Sequence, residues 1–208
     1  MINIFYSILI ILCSFVFSAT LEVPSQYPTI QEAIDASIDE DTVSVAPGYY
    51  FDGPYMITKS IVLASHAVTV DNIQTLEWDD DEIVGYQVTN ENIRNTVLSG
   101  LYISEESDTG SVVIINSPDG ECIKPQALGF TIEHGKGSMV TNGLETKRVG
   151  GGILSLHANP TIRFNVIRSN RNSQFPIFEG GGINSLGDDF GLGRSADNRD
   201  QCEPEIRL

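Results

Sequence analysis

Gly150-Gly151-Gly152-Ile153 returns thirty residues later as Gly180-Gly181-Gly182-Ile183. The first copy is followed by Asn159-Pro160-Thr161-Ile162-Arg163-Phe164. The second is followed by Glu203-Pro204-Glu205-Ile206-Arg207-Leu208, after an interval longer by fourteen residues. Two motifs repeated in the same order are the mark of stacked structural repeats. Around them the chain reads as short β-branched segments interrupted by Asp, Gly, Pro or Asn: 21–23, 42–46, 57–63, 68–70, 83–88, 96–98, 111–115 and 127–132. Many short strands allow a sandwich, a barrel or a solenoid. The ordered repetition selects the solenoid, of roughly six to eight coils at about 20–30 residues per repeat.

In a parallel coil, alternate residues face the core and the solvent. Ile162, Phe164 and Val166 are therefore expected inside, stacked on Ile206 and Leu208 of the next coil, with Thr161, Arg163 and Asn165 outside. Strands ~4.8 Å apart would set Arg163 above Arg207 and Thr161 above Glu205. Asn165 and Asn170 fall near corners, where side-chain amides can bond along the stack. The Gly-Gly-Gly runs have no following Gly-Lys-Ser/Thr and no strand–helix context, so they are not nucleotide loops. They read as bends at a corner where no side chain fits. The second copy stops in mid-strand at Leu208, so the chain is expected to be truncated there.

One helix is expected, over Tyr27 to Ser37. Ile30, Ala33, Ile34 and Ile38 form an apolar stripe at helical spacing. Thr29 followed by Glu32 is a capping-box pattern.

The stretch Val23-Pro24-Ser25, Tyr27-Pro28-Thr29-Ile30-Gln31-Glu32-Ala33-Ile34, Asp41-Thr42-Val43 and Val45-Ala46-Pro47-Gly48-Tyr49-Tyr50 resembles the start of right-handed parallel β-helix proteins of the pectin lyase-like superfamily. Thr96-Val97-Leu98-Ser99-Gly100, Gly129-Phe130-Thr131-Ile132 and the Gly-Gly-Gly-Ile and Pro-Thr-Ile-Arg-Phe-Asn elements are similar to repeats of its secreted bacterial members. The resemblance implies an all-β fold: a right-handed parallel β-helix with an N-terminal amphipathic helix capping the first coil. It leaves activity open, because the superfamily holds lyases, hydrolases, esterases and non-catalytic surface proteins. The Asp-Phe-Ile-Phe-Gly of pectin methylesterases does not occur here. Neither do the Asn-Thr-Asp and Arg-Ile-Lys elements of polygalacturonases, nor the Arg-containing signature of pectate lyases.

Residues 1–19 carry no charged side chain and an apolar run from Ile8 to Phe17. The run is too short to span a membrane and suits a signal peptide, although no Lys or Arg precedes it. Cleavage after Ser18 or Ala19 would leave a β-helix domain over about 20–208, secreted or at the cell surface, with no membrane span. Cys122 and Cys202 would then share an oxidising compartment. Bridged Cα atoms must lie about 4.4–6.8 Å apart, and eighty residues would separate this pair by several coils. A disulfide between them is possible, free cysteines in loops are the preferred expectation, and neither has zinc-ligand spacing.

The 208 residues include 28 acidic and 12 basic side chains, for a net charge of −16. With 41% hydrophobic and 19% charged residues, the chain is too apolar for disorder. Its charge opposes binding to nucleic acid. The first hundred residues carry twelve net negative charges and the remainder four, with no Pro- or Ser-rich linker between.

Arg163, Arg168, Arg171 and Arg207 form the only basic cluster. A guanidinium fork matches the carboxylates of an acidic polysaccharide; the commoner role is a solvated face balanced by Glu179 and Glu205. Asp79, Asp80 and Asp81, beside Glu77 and Glu82, offer hard oxygens for Ca²⁺, the one cofactor considered. Consecutive strand residues alternate faces and chelate poorly, so an acidic loop is the plainer reading. Asp188-Asp189 are adjacent, whereas glycosidase pairs flank a sugar from about 5–9.5 Å apart. Glu133-His134-Gly135 would place a general base at a coil edge, without a second catalytic partner; His66 and His157 have weaker claims.

No catalytic constellation is complete. The expected function is a module contacting extracellular polysaccharide or a cell-surface glycan. A truncated polysaccharide lyase or glycoside hydrolase is one alternative. The other is a structural stalk or adhesin displaying loops such as 185–203 to a protein partner.

Overall fold

The computed structural model describes residues 18–69, 75–79, 82–87, 90–118, 121–142, 145–170, 178–179 and 182–186. The described strands fall mainly into three parallel sheets, which the chain visits in fixed rotation from Thr42 onward, the first two strands of the first sheet being joined through a helix. The first sheet holds Thr20–Val23, Thr42–Val45, Val62–Ser65, Gln126–Leu128 and Thr161–Arg163. The second holds Gly48–Tyr50, Thr96–Ser99, Thr131–Glu133 and Val166–Arg168. The third holds Tyr55–Ile57, Val113–Asn116, Ile153–Leu156 and Ile183–Leu186.

Register turns this rotation into columns of like side chains. Leu21, Val43, Leu63, Ala127 and Ile162 are successive partners in the first sheet, and all five are buried. Leu98 and Ile132 form the buried centre of a second column between Tyr50 and Ile167. Tyr55, Val113, Ile153 and Ile183 make the third. These columns meet in one apolar core. Each ladder buries one apolar side chain per level, at about 1.5–3 kcal/mol for a full-sized aliphatic.

The glycine repeat marks one full rotation. Ile153 and Ile183, thirty residues apart, are register partners, and the Gly152 and Ile153 amides both donate to Gly182 O at 2.9 Å. A Cβ on Gly152 would stand 2.8 Å from that oxygen, so a side chain is excluded there, as expected of a bend. Asn165 and Asn170 also sit at corners. Asn165 Oδ1 accepts from Phe130 N at 2.9 Å while its Nδ2 donates to Ala127 O at 2.8 Å. Asn170 repeats the arrangement with Gly135 N and Ile132 O. The amides thus tie each circuit to the backbone of the one before.

The helix occupies Ile30–Ala36, and Thr29 Oγ1 caps it by accepting from Glu32 N at 3.2 Å. Ile30, Ala33 and Ile34 are buried against the start of the core. Gln31 reaches the edge strand of the third sheet: its Oε1 accepts from Met56 N at 2.8 Å and its Nε2 donates to Met56 O at 3.3 Å. Lys59 Nζ donates to Ile34 O, Asp35 O and Ser37 O at the helix C-terminus.

Several boundaries differ from expectation. The segment 57–63 is a strand end, a corner and a strand start, because the chain turns from the third sheet to the first between Tyr55–Ile57 and Val62–Ser65. The segment 127–132 breaks at Gly129, whose φ of 79° turns the corner between the first and second sheets. Phe164 likewise ends its strand, with φ 61°, instead of continuing inward alternation. Residues 66–69 form a 3-10 turn. Ile38 lies beyond the helix and is exposed. A second helix, Glu91–Asn95, was unforeseen; it buries Ile93 against the second sheet. Among the described residues the three parallel sheets hold five, four and four strands, and hairpins leave the rotation at Thr75–Asp79 with Glu82–Gln87, and at Gly137–Asn142 with Glu145–Val149.

Cys122 is disulfide-bonded, which corrects the expectation that it is free: it lies in the loop between Val113–Asn116 and Gln126–Leu128, outside the ladders whose coil spacing argued against a bridge. Cys13 and Cys202 lie outside the described residues. Among the described residues, no helix is long and apolar enough to cross a membrane.

Candidate functional site on the second sheet

The outer column of the second sheet carries the densest chemistry among the described residues. Ser99, Glu133 and Arg168 are register partners on successive levels. Extending the pairing of Tyr50 with Leu98 by one residue sets Phe51 beside Ser99. The column therefore runs from an aromatic through a hydroxyl and a carboxylate to a guanidinium, at ~4.8 Å per step.

At its charged end, Arg168 Nε donates to Glu133 Oε2 at 2.9 Å. The Glu133 side chain is only 10% exposed and that of Arg168 57% exposed. The carboxylate is thus held inside and the guanidinium rides over it. His134 adopts φ 62° and brings Nδ1 to 3.4 Å from Glu133 Oε1 and 3.3 Å from Ser99 Oγ. A nucleophilic relay needs the hydroxyl and the acid on opposite ring nitrogens. Here both face Nδ1, and Ser99 is almost fully buried. The arrangement positions the imidazole and neutralises the buried carboxylate; it does not activate a nucleophile.

At the other end lies an exposed aromatic run. Tyr49 is 64% and Tyr102 75% exposed, with Phe51 and Leu101 between them at the surface. The Tyr49 and Phe51 rings stack at 6.1 Å and 18°, and Phe51 meets Tyr102 at 5.1 Å and 52°. Strand alternation explains the first pair: residues 49 and 51 share the outer face while Tyr50 turns inward and donates its hydroxyl to Ala46 O at 2.8 Å. Tyr102 comes from the loop after Ser99. That loop is held by the Ile103 amide donating to Gly100 O at 3.0 Å, and by Lys136 Nζ, which donates to Leu101 O and Ile103 O. The consecutive aromatics Tyr49-Tyr50-Phe51 are a signal that strand alternation splits into two outward rings and one inward; Tyr102, about fifty residues away, carries no such signal.

Of the four arginines singled out in the sequence, Arg163 and Arg168 are among the described residues, on different sheets. Arg163 ends a strand of the first sheet and lies over the Phe164 ring, 4.8 Å from its centroid. Arg168 belongs to the second sheet and pairs with Glu133, a partner the sequence did not suggest. Arg171 and Arg207 lie outside the described residues, so the stacking of Arg163 on Arg207 does too. Asp79 ends a hairpin strand opposite Glu82; Asp80 and Asp81 lie outside the described residues, as do Asp188 and Asp189. Among the described residues no group of three His, Cys, Asp or Glu side chains is placed to hold a metal ion.

No protein family, curated protein or solved structure matches the chain at a significant level.

Proposed function

We propose that the chain is a secreted or cell-surface right-handed parallel β-helix of the pectin lyase-like kind, which contacts extracellular polysaccharide through Tyr49, Phe51 and Tyr102. The fixed rotation through three parallel ladders favours the β-helix. The Gln31 bridge to Met56 favours a capping role for the helix Ile30–Ala36, because it occupies backbone groups that an edge strand would otherwise expose.

The observation that carries the function is the exposed aromatic run. Three ring faces on a soluble surface are costly to leave in water and suit the apolar C–H faces of sugar rings. The column beside them supplies polar partners for hydroxyls: the His134 ring and the outer edge of Arg168. A polymer lying along the outer column would meet one side chain per level, so the site suits an extended chain more than a small ligand.

Affinity electrophoresis through gels containing neutral or acidic polysaccharides tests the reading. Retardation is expected in at least one glycan. Tyr102→Ala, a change at a mostly exposed side chain, should weaken it by about 2- to 12-fold, from about 0.5–1.5 kcal/mol per aromatic contact. Migration unchanged in every glycan would refute the proposal. Release of reducing ends or unsaturated products would replace it with the lyase or hydrolase reading.

A further inference from the structure

The start of the first ladder carries an arrangement that the glycan reading does not use. Ala19 N donates to Asp41 Oδ1 at 2.7 Å, and Ala19 O accepts from Thr42 N at 2.8 Å. Asp41 is buried although charged, and its second oxygen accepts from Ile38 N at 2.9 Å. Both backbone groups of Ala19 are therefore built into the fold, one residue before the pairing of Thr20 with Thr42 begins. Ser18, in contrast, is exposed and attached by its hydroxyl alone, which donates to Glu40 O at 2.6 Å.

We propose that hydrolysis between Ser18 and Ala19 creates the mature amino terminus, and that the new Ala19 ammonium docks on the Asp41 carboxylate. The inference rests on the export reading and goes beyond it, by choosing one bond and giving the new terminus a partner. A signal peptidase adds water across the Ser18–Ala19 peptide bond. Ser18 leaves with the carboxylate, and Ala19 keeps the nitrogen as an ammonium.

Sequence and structure agree on this bond. Cutting here puts Ser18 next to the scissile bond and Val16 two residues before it, both small enough for the pattern signal peptidases read. Cutting one residue later would put the Phe17 ring in the second of those positions. It would also remove Ala19, leaving the Thr42 amide and the buried Asp41 oxygen without their partners.

After cleavage the same nitrogen carries a positive charge and keeps its place beside the carboxylate. An amide–carboxylate bond thereby becomes an ion pair, and charge-assisted bonds of this kind are the stronger ones. Lys59 contributes a second positive charge in the neighbourhood of Asp41. The processed terminus is tied down where the first strand begins, at a position where chain ends ordinarily fray.

The test begins from the full chain expressed in an export-competent bacterium, with intact mass and N-terminal sequencing of the exported and retained fractions. An exported protein beginning at Ala19 with a free amine is expected. An exported protein beginning at Thr20 or elsewhere overturns this inference and leaves the export reading standing; a retained chain with residues 1–18 intact overturns both. The docking is read from the rate at which an amine-selective acylating reagent labels Ala19 at neutral pH. In the exported Asp41→Asn variant that rate should rise about threefold or more, because the ammonium loses its nearest anion. Equal labelling rates in wild type and variant overturn the docking, and the mass measurement needs no variant.

Discussion

Replacing three glycines by alanine, one at a time, grades the tightness of the stacking that the structure describes. A Cβ built on Gly135 would lie 1.8 Å from Gly151 O, on Gly152 2.8 Å from Gly182 O, and on Gly182 3.5 Å from Ile167 Cγ2. Real Cβ contacts below 3.0 Å essentially do not occur. Gly135→Ala must therefore push the facing backbones away from each other, because the opposing atom is a carbonyl and cannot rotate away. Val112 N donates to that same Gly151 O at 3.3 Å, so the separation also strains the ladder of the third sheet. Overpacking against side chains costs about 1–3 kcal/mol. A backbone clash with a strained hydrogen bond belongs at or above the top of that range, about 3 kcal/mol or more. Gly152→Ala needs a shift of a few tenths of an ångström and should cost about 1–2 kcal/mol. Gly182→Ala meets ordinary contact, so the lower entropy of the unfolded chain should stabilise it by about 0.4–1 kcal/mol. Chemical denaturation with a common m-value would rank the three. Equal stability of Gly135→Ala and wild type, or an inverted order, would falsify the stacking of these corners.

Other positions give shorter tests. Lys59→Met leaves three carbonyls at the end of the helix Ile30–Ala36 without their ammonium and should lower stability by about 1–2 kcal/mol, read from the denaturation midpoint. Gln31→Leu removes both bonds to Met56 and should cost about 1–3 kcal/mol, with faster hydrogen exchange at the Met56 amide. Asn165→Ala removes two bonds between circuits and should shift the thermal midpoint down by about 2–12 °C at 2–4 °C per kcal/mol. Asp41 has a carboxyl held below the ordinary range, chiefly by the Ile38 and Ala19 amides and secondarily by Lys59. A depressed folded value stabilises the protein above the unfolded pKa near 3.9 and is lost as pH falls through the folded value. The stability difference between wild type and Asp41→Asn should therefore shrink in acid, and a difference constant from pH 6 to pH 2 would contradict this assignment.

The repeated Gly-Gly-Gly-Ile was legible as a motif, and its two copies fall one rotation apart because Ile153 and Ile183 are register partners. Stacking forbids a Cβ at Gly152, whereas Gly182 has room for one and Val112 holds the same corner one level earlier. The apolar members of the first column were legible because strand alternation alone separates inside from outside. Thr29 and Glu32 announced the helix start because capping is local. Corners at Gly129 and Phe164 were harder to see. They lie inside apolar runs that read as continuous strand, and only the left-handed backbone there turns the chain onto another sheet.

The outer column was decided by tertiary structure. Phe51, Ser99, Glu133 and Arg168 are spaced forty-eight, thirty-four and thirty-five residues apart, because excursions of different length, hairpins among them, leave the rotation between levels. No fixed period in the sequence could align them. The arginines show the same principle in reverse: Arg163 and Arg168 are neighbours in sequence, yet the corner at Phe164 sends them to different sheets, one over an aromatic ring and the other onto Glu133. By itself the sequence determined the alternation of the first column and the cap of the helix Ile30–Ala36, since both follow from side-chain chemistry and local sterics. Which side chains share a surface depended on the lengths of the excursions between strands, and only the folded chain resolves those into register.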